Sequence, residues 1–151
     1  MMGIEKDINQ QQFKNAKQKA VINLLFSYGW VIERIKRFLA KEDITHQQYN
    51  ILRILRGSYP EPLSTLQIRE RMLDKMSDTS RIVDRLVTKQ LVKKRICEQD
   101  KRLVDVTITE KGQKLLNELD AQDDHMQSIM ANLTDKEAET LSTLLDKLRG
   151  G

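Results

Sequence analysis

The sequence predicts a mainly α-helical fold with one small β element, an α+β chain, and three patterns point that way. Apolar residues recur at alternating spacings of three and four along the first quarter of the chain and again near its end, as on the face of a helix. Both prolines, Pro60 and Pro62, fall in one turn-rich stretch between short helical segments. Across residues 92–109 the period then changes from helix to strand. A length of 151 residues suits one compact domain with room for a core.

Taken in order, the first dozen residues are polar and Gln-rich, the composition of a partly disordered lead-in. Val21, Leu24, Tyr28, Val31, Ile35 and Phe38 then form a seam, extended by Ala20 and widened by Leu25, Ile32 and Leu39. This predicts a long helix over about 13–40 with more apolar surface than a small neighbouring module can cover. Thr45 opens a second helix with Gln48 as its capping-box partner, and Gly57 stops it. Its apolar set is Tyr49, Ile51, Leu52, Ile54 and Leu55.

After the proline turn, Ser64 and Gln67 repeat the capping pattern at the head of a short helix carrying Leu66, Ile68, Met72 and Leu73. A third short helix begins at Ser77 or Asp78, both good N-cap residues, and runs to about Lys89. Ile82, Val83, Leu86 and Val87 form its buried face, leaving Ser77, Asp78, Ser80, Arg81, Asp84 and Arg85 opposite. Two short helices about a tight turn compose a helix-turn-helix. Val92–Ile96 and Leu103–Thr109 read as two strands, the second with Val104, Val106 and Ile108 on one face. The polar connection 97–102 makes them a two-stranded ribbon with a charged tip, a wing directly after the helix-turn-helix. Thr109-Glu110-Lys111-Gly112 starts the next helix, with Leu115, Leu116, Leu119, Met126, Ile129 and Met130. Thr134 to Glu137 is a full capping box for the last, whose apolar face is Leu141, Leu144, Leu145 and Leu148.

The net charge of +4 is mild, but its distribution is not. Residues 75–102 hold nine basic and four acidic side chains, whereas 117–141 hold one basic and seven acidic. A chain positive in one segment and negative in another has a defined face for a polyanion. Cys97 is the single cysteine, so no disulfide can form within the chain. There is no apolar run of membrane-spanning length and no signal-peptide core at the N-terminus, so a soluble cytoplasmic protein is expected.

This order of elements resembles the MarR family of bacterial transcriptional regulators. The most specific piece is Asp100-Lys101-Arg102, running through a strand into Thr109-Glu110-Lys111-Gly112. Upstream, Ser80 to Leu86 is similar to the family's recognition-helix pattern. The resemblance covers about 40–148. It implies a homodimer with a winged helix-turn-helix module at 43–110 and dimerisation helices at 13–40 and 111–148. It also implies repression of genes, released by a small phenolic or other lipophilic effector or by an oxidant. One departure is Gln90, where the family usually has glycine after the recognition helix; glutamine can hold the left-handed conformation needed there at modest cost.

On that reading the chain is a sequence-specific double-stranded DNA-binding regulator. The third short helix, from Ser77 or Asp78 to about Lys89, lies in the major groove of a pseudo-palindromic operator. Ser77, Thr79 and Ser80 offer short hydroxyls to phosphates or bases, and Arg81 pairs with a guanine edge. Arg85 and Lys89 meet phosphates, Arg102 reaches the minor groove, and Asp100 holds Arg102 or caps the wing turn. Lys93, Lys94, Arg95 and Lys101 add sequence-independent affinity. The competing role for Arg81 and Arg85 is pairing with Asp78 or Asp84 on their own helix.

Tyr28, Trp30, Tyr49 and Met72 are candidates for the lining of an effector pocket, with plain packing as the alternative. His46 and His125 are too few and too separated for a metal site, and Cys97 is an ordinary residue near the wing rather than a redox switch. No cofactor and no catalysis are expected, because there is no nucleophile–base set, no Gly-rich phosphate loop and no metal-ligand spacing. The alternative function is a winged-helix module that grips another protein, against which the basic wing argues.

Overall fold

The computed structural model describes residues 3–122 and 125–151. A four-residue helix α1 (Ile4–Asp7) precedes the long α2 (Ala16–Leu39), which passes through a 3-10 turn at Ala40–Glu42 into α3 (His46–Ser58). Strand β1 (Leu63–Ser64) leads into α4 (Thr65–Arg71), followed by α5 (Thr79–Thr88), β2 (Val92–Ile96) and β3 (Val104–Ile108). Helices α6 (Glu110–Gln122), α7 (His125–Ile129) and α8 (Asp135–Leu148) complete the chain. The predicted fifth helix runs across residues 123 and 124, which lie outside the described residues.

The helix starts are set by local chemistry. Thr45, Ser64 and Thr134 each accept the backbone N–H three residues on, and Gln48, Gln67 and Glu137 reach back to the cap N–H. Each box satisfies two donors that a helix end would otherwise orphan. Asn15 and Asp78 cap α2 and α5 more simply, each accepting one N–H. The lead-in is more ordered than its composition suggests, because Ile4 is buried and Glu5 pairs with Lys19 of α2.

The core lies in the α3–α6 region. Ile51, Leu52 and Leu55 of α3, Ile68 and Met72, Val83 and Leu86 of α5, Val92, Val106, and Leu116 and Leu119 of α6 meet there with almost no exposure. Ile35, Phe38 and Leu39 bring the end of α2 against it. The predicted face of β3 holds, with Val106 and Ile108 buried and Val104 half-buried.

The sheet has three strands rather than the predicted two, in the order β1-β3-β2 and antiparallel throughout. Leu63 pairs with Val106 and Ser64 with Asp105. A two-residue strand is too short to show a period, and Ser64 also reads as a helix cap. Leu66 and Leu73, assigned to the apolar side of α4, are exposed instead, because a seven-residue helix turns only Ile68 inward, with Met72 just beyond.

Candidate nucleic-acid interface

Helix α5 is amphipathic in the strict sense: Thr79, Val83 and Leu86 are buried, while Ser80, Arg81, Asp84, Arg85 and Thr88 are exposed. Residues 79, 83 and 86 follow the i, i+4, i+7 spacing of one helix face. That spacing corrects the reading of Thr79 as a DNA-facing hydroxyl, because it is turned into the protein at 4% exposure. Ser77, half-buried before the cap, likewise has a hydroxyl oxygen shut from solvent, with no hydrogen-bond partner among the described residues. Ser80 keeps its place on the free face.

Arg81 and Arg85 do not fold back onto their own helix. Asp78 accepts the backbone N–H of Arg81 at 3.3 Å as a cap. Asp84 pairs across to Lys94 of β2 at 2.6 Å. Among the described residues neither arginine has a carboxylate within ion-pair distance. Lys89 is committed elsewhere, donating to the Asp43 carbonyl at the turn after α2.

The far end of α5 is clamped. Gln90 adopts φ +64, the left-handed conformation expected of it, and Leu91 N–H closes the helix by donating to the Leu86 carbonyl at 3.0 Å. Thr109 Oγ1 donates to the Gln90 carbonyl at 2.8 Å while accepting Gly112 N–H at 3.0 Å, and Lys111 Nζ donates to the Lys89 carbonyl at 3.1 Å. Gly112 sits so close that a Cβ there would lie 2.4 Å from the Leu91 carbonyl oxygen. Thr109 to Gly112 therefore fixes the end of α5 against the start of α6, a role that strand and cap patterns did not reveal.

At the wing tip, Asp100 does both things expected of it. Its Oδ1 accepts the Arg102 backbone N–H at 3.1 Å, and its two oxygens take Arg102 Nε and Nη2 at 3.0 Å each. The Arg102 guanidinium and then its backbone N–H hold the Asp100 carboxyl below its ordinary range, and Asp100 in turn raises Arg102. The guanidinium is thus aimed while its side chain stays 89% exposed. Lys101 beside it is exposed.

Behind this surface lies a cavity of about 860 Å³ between α2, α3, the α4–α5 connection, α6 and α7. Tyr28, Tyr49 and Met72 line it, with Ile32, Phe38 and Leu73. Trp30 does not line it: its ring lies under the Arg34 guanidinium, 3.3 Å from the centroid. Polar members missed from the sequence are His46, Asn50, Arg53 and Arg56, which recur at helical spacing on the side of α3 away from the core. Arg53 donates to the Tyr49 hydroxyl at 3.0 Å and Arg56 pairs with Asp120 at 2.8 Å. Burial lowers the pKa of His46, helped by Lys36 and opposed by Asp74. Among the described residues no His, Cys, Asp and Glu group is arranged to hold a metal, and no helix is long and apolar enough to cross a membrane.

A capped helix α5 clamped to the start of α6 beside a three-stranded sheet, with a charged hairpin beyond it, defines a winged helix-turn-helix fold. Residues 44–104 match the MarR family model. The chain is 26% identical over 134 residues to the HTH-type transcriptional regulator MhqR of Bacillus subtilis strain 168, covering 86% of this chain and 89% of that one. The structure of the Escherichia coli MarR C80S mutant complexed with operator DNA superposes with a TM-score of 0.75 at 22% identity, over 97% of this chain and 99% of that one. Bordetella bronchiseptica BpsR, whose DNA binding is regulated by 6-hydroxynicotinic acid, superposes at 0.77 and 20% identity, over 93% and 99%. The winged helix-turn-helix segment of the chain is similar to that of the MarR family of transcriptional regulators.

Proposed function

We propose that the chain reads an operator as a homodimer and releases it when a small aromatic molecule enters the cavity. The observation that carries the DNA role is the free face of α5: Ser80, Arg81 and Arg85 stand exposed, and neither arginine has a carboxylate partner among the described residues. A helix of this kind presents its N-terminal half to base edges in the major groove. Arg81 supplies a bidentate donor for guanine, Arg85 and Lys101 meet phosphates, and Arg102, aimed by Asp100, enters the minor groove. Thr79, being buried, has no direct part. That the similar E. coli MarR C80S mutant forms a complex with operator DNA supports the DNA role.

Self-association is supported by the uncovered apolar faces of α2 and α8. Leu25 is 66% exposed, Leu144 57% and Leu148 64%, too much leucine at helical spacing for a surface that stays in water. Each protomer then supplies one winged module to half-sites about one helical turn apart. The cavity is sized for a small organic ligand, with Tyr49 and Phe38 as ring partners and Arg53 and Arg56 as polar ones. A hydroxylated aromatic acid as the regulator is suggested by BpsR, whose DNA binding is regulated by 6-hydroxynicotinic acid.

The test is binding to the promoter region of the chain's own gene against random DNA, at two salt concentrations, for wild type, Arg81→Ala and Arg102→Ala. The expected result is salt-sensitive binding that outcompetes random DNA, with Arg81→Ala losing about 1–3 kcal/mol of discrimination. Equal binding to both DNAs, indifferent to both substitutions, overturns the reading. A panel of hydroxylated aromatic acids added to the bound complex then tests release.

A further inference from the structure

We propose that Lys94 is a positioning residue that neutralises Asp84 on α5 and braces the wing against it, rather than a contact to DNA phosphate. This rests on the reading that α5 docks on DNA. Side chains alternate along a strand, so Lys94 shares a face with Val92, which is buried in the core, while Lys93 and Arg95 point from the other face. Lys94 is thus turned toward α5, and its ammonium meets Asp84 Oδ1 at 2.6 Å.

Asp84 is the sole acidic residue within α5, and it stands between Arg81 and Arg85. An unmasked carboxylate there would both repel a polyanion and attract the two arginines meant to read it. With Lys94 taking Asp84 from the wing side, both guanidinium groups stay free. The same contact joins β2 to the middle of α5, ten residues earlier in the chain. Lys94 therefore governs how well the protein separates operator from other DNA more than how strongly it holds any duplex.

The experiment is a four-cornered cycle of Lys94→Ala and Asp84→Asn, with Lys94→Arg as the conservative variant. Each protein is titrated with a duplex from the promoter region of its own gene and with random DNA, over a range of salt. Lys94→Ala is expected to weaken promoter binding roughly three- to tenfold and to lower the promoter-to-random ratio. In the Asp84→Asn background the same change costs less than about twofold, and Lys94→Arg keeps the ratio. A phosphate contact behaves differently: Lys94→Ala lowers the slope of log affinity against log salt by about 0.9 in both backgrounds, and promoter and random DNA weaken alike. That second pattern overturns the proposal while leaving α5 as the reading helix. A wild-type protein that does not distinguish the two duplexes overturns the reading of α5 and this role with it.

Discussion

Leu116 of α6 and Leu144 of α8 are both leucines on an apolar helical stripe, and they have opposite fates. Leu116 has no exposure, locked between α3 and the rest of the winged module, whereas Leu144 is 57% exposed on a helix with no buried residue. The winged module is complete within one chain: caps, core and sheet all close on themselves. The flanking helices are not, and the apolar side of α2 as far as Tyr28 shares that condition. Identical periodicity therefore marks two different things, a core already assembled and a face that still lacks its cover.

The sharpest way to break that comparison is to substitute each leucine in turn. Leu116→Ala should destabilise the chain by about 2–5 kcal/mol, because a fully packed side chain leaves a cavity. Denaturant titration checks this, with a fall in midpoint and little change in slope. Leu144→Arg should leave the winged module folded but weaken self-association roughly tenfold or more, since it removes apolar burial from each protomer of the proposed dimer. Sedimentation across a concentration series reads it; an unchanged oligomeric state would separate α8 from the dimer interface.

A smaller effect lies at the C-terminus of α5. Gln90 holds φ +64, a conformation in which a Cβ is unfavourable. Gln90→Gly should stabilise the protein by about 0.5–1 kcal/mol, seen as a small rise in melting temperature, without altering DNA discrimination.

The smallest concerns pH. His46 has its pKa lowered in the folded protein, chiefly by burial, so the unfolded chain binds its proton more readily. Stability is then fully present above the ordinary histidine pKa of about 6.5 and declines as pH falls through the lower folded value. In His46→Gln that decline should flatten in urea midpoints measured from neutral to mildly acid pH.

Much of the fold was legible because its causes are local. Three capping boxes, the aspartate cap, the switch of period at the wing and the left-handed Gln90 all depend on residues a few positions apart. The pairing of Asp100 with Arg102 was foreseeable for the same reason. The face of α5 was legible too, and Thr79 was misplaced only because its hydroxyl was weighed ahead of its spacing from Val83 and Leu86.

What lay beyond the sequence involves groups far apart in the chain. Strand β1 exists only because β3, about 40 residues later, offers an edge to Leu63 and Ser64. The clamp of Thr109 and Lys111 on Lys89 and Gln90 cannot be inferred from either segment alone. The choice of Lys94, rather than Arg81 or Arg85, as the partner of Asp84 depends on how β2 lies against α5. Trp30 and Tyr28 are two residues apart, yet Tyr28 lines the cavity and Trp30 is covered by Arg34.

The sequence by itself determined the element types, their caps, the helix-turn-helix and wing order, and the basic character of that region. Those follow from hydrogen bonds and periodicities within a turn or two of chain. The tertiary structure alone decided which apolar stripes are buried, which charges remain free and where a cavity opens. Those outcomes depend on packing between distant segments, where a side chain's neighbours are set by the path of the whole chain.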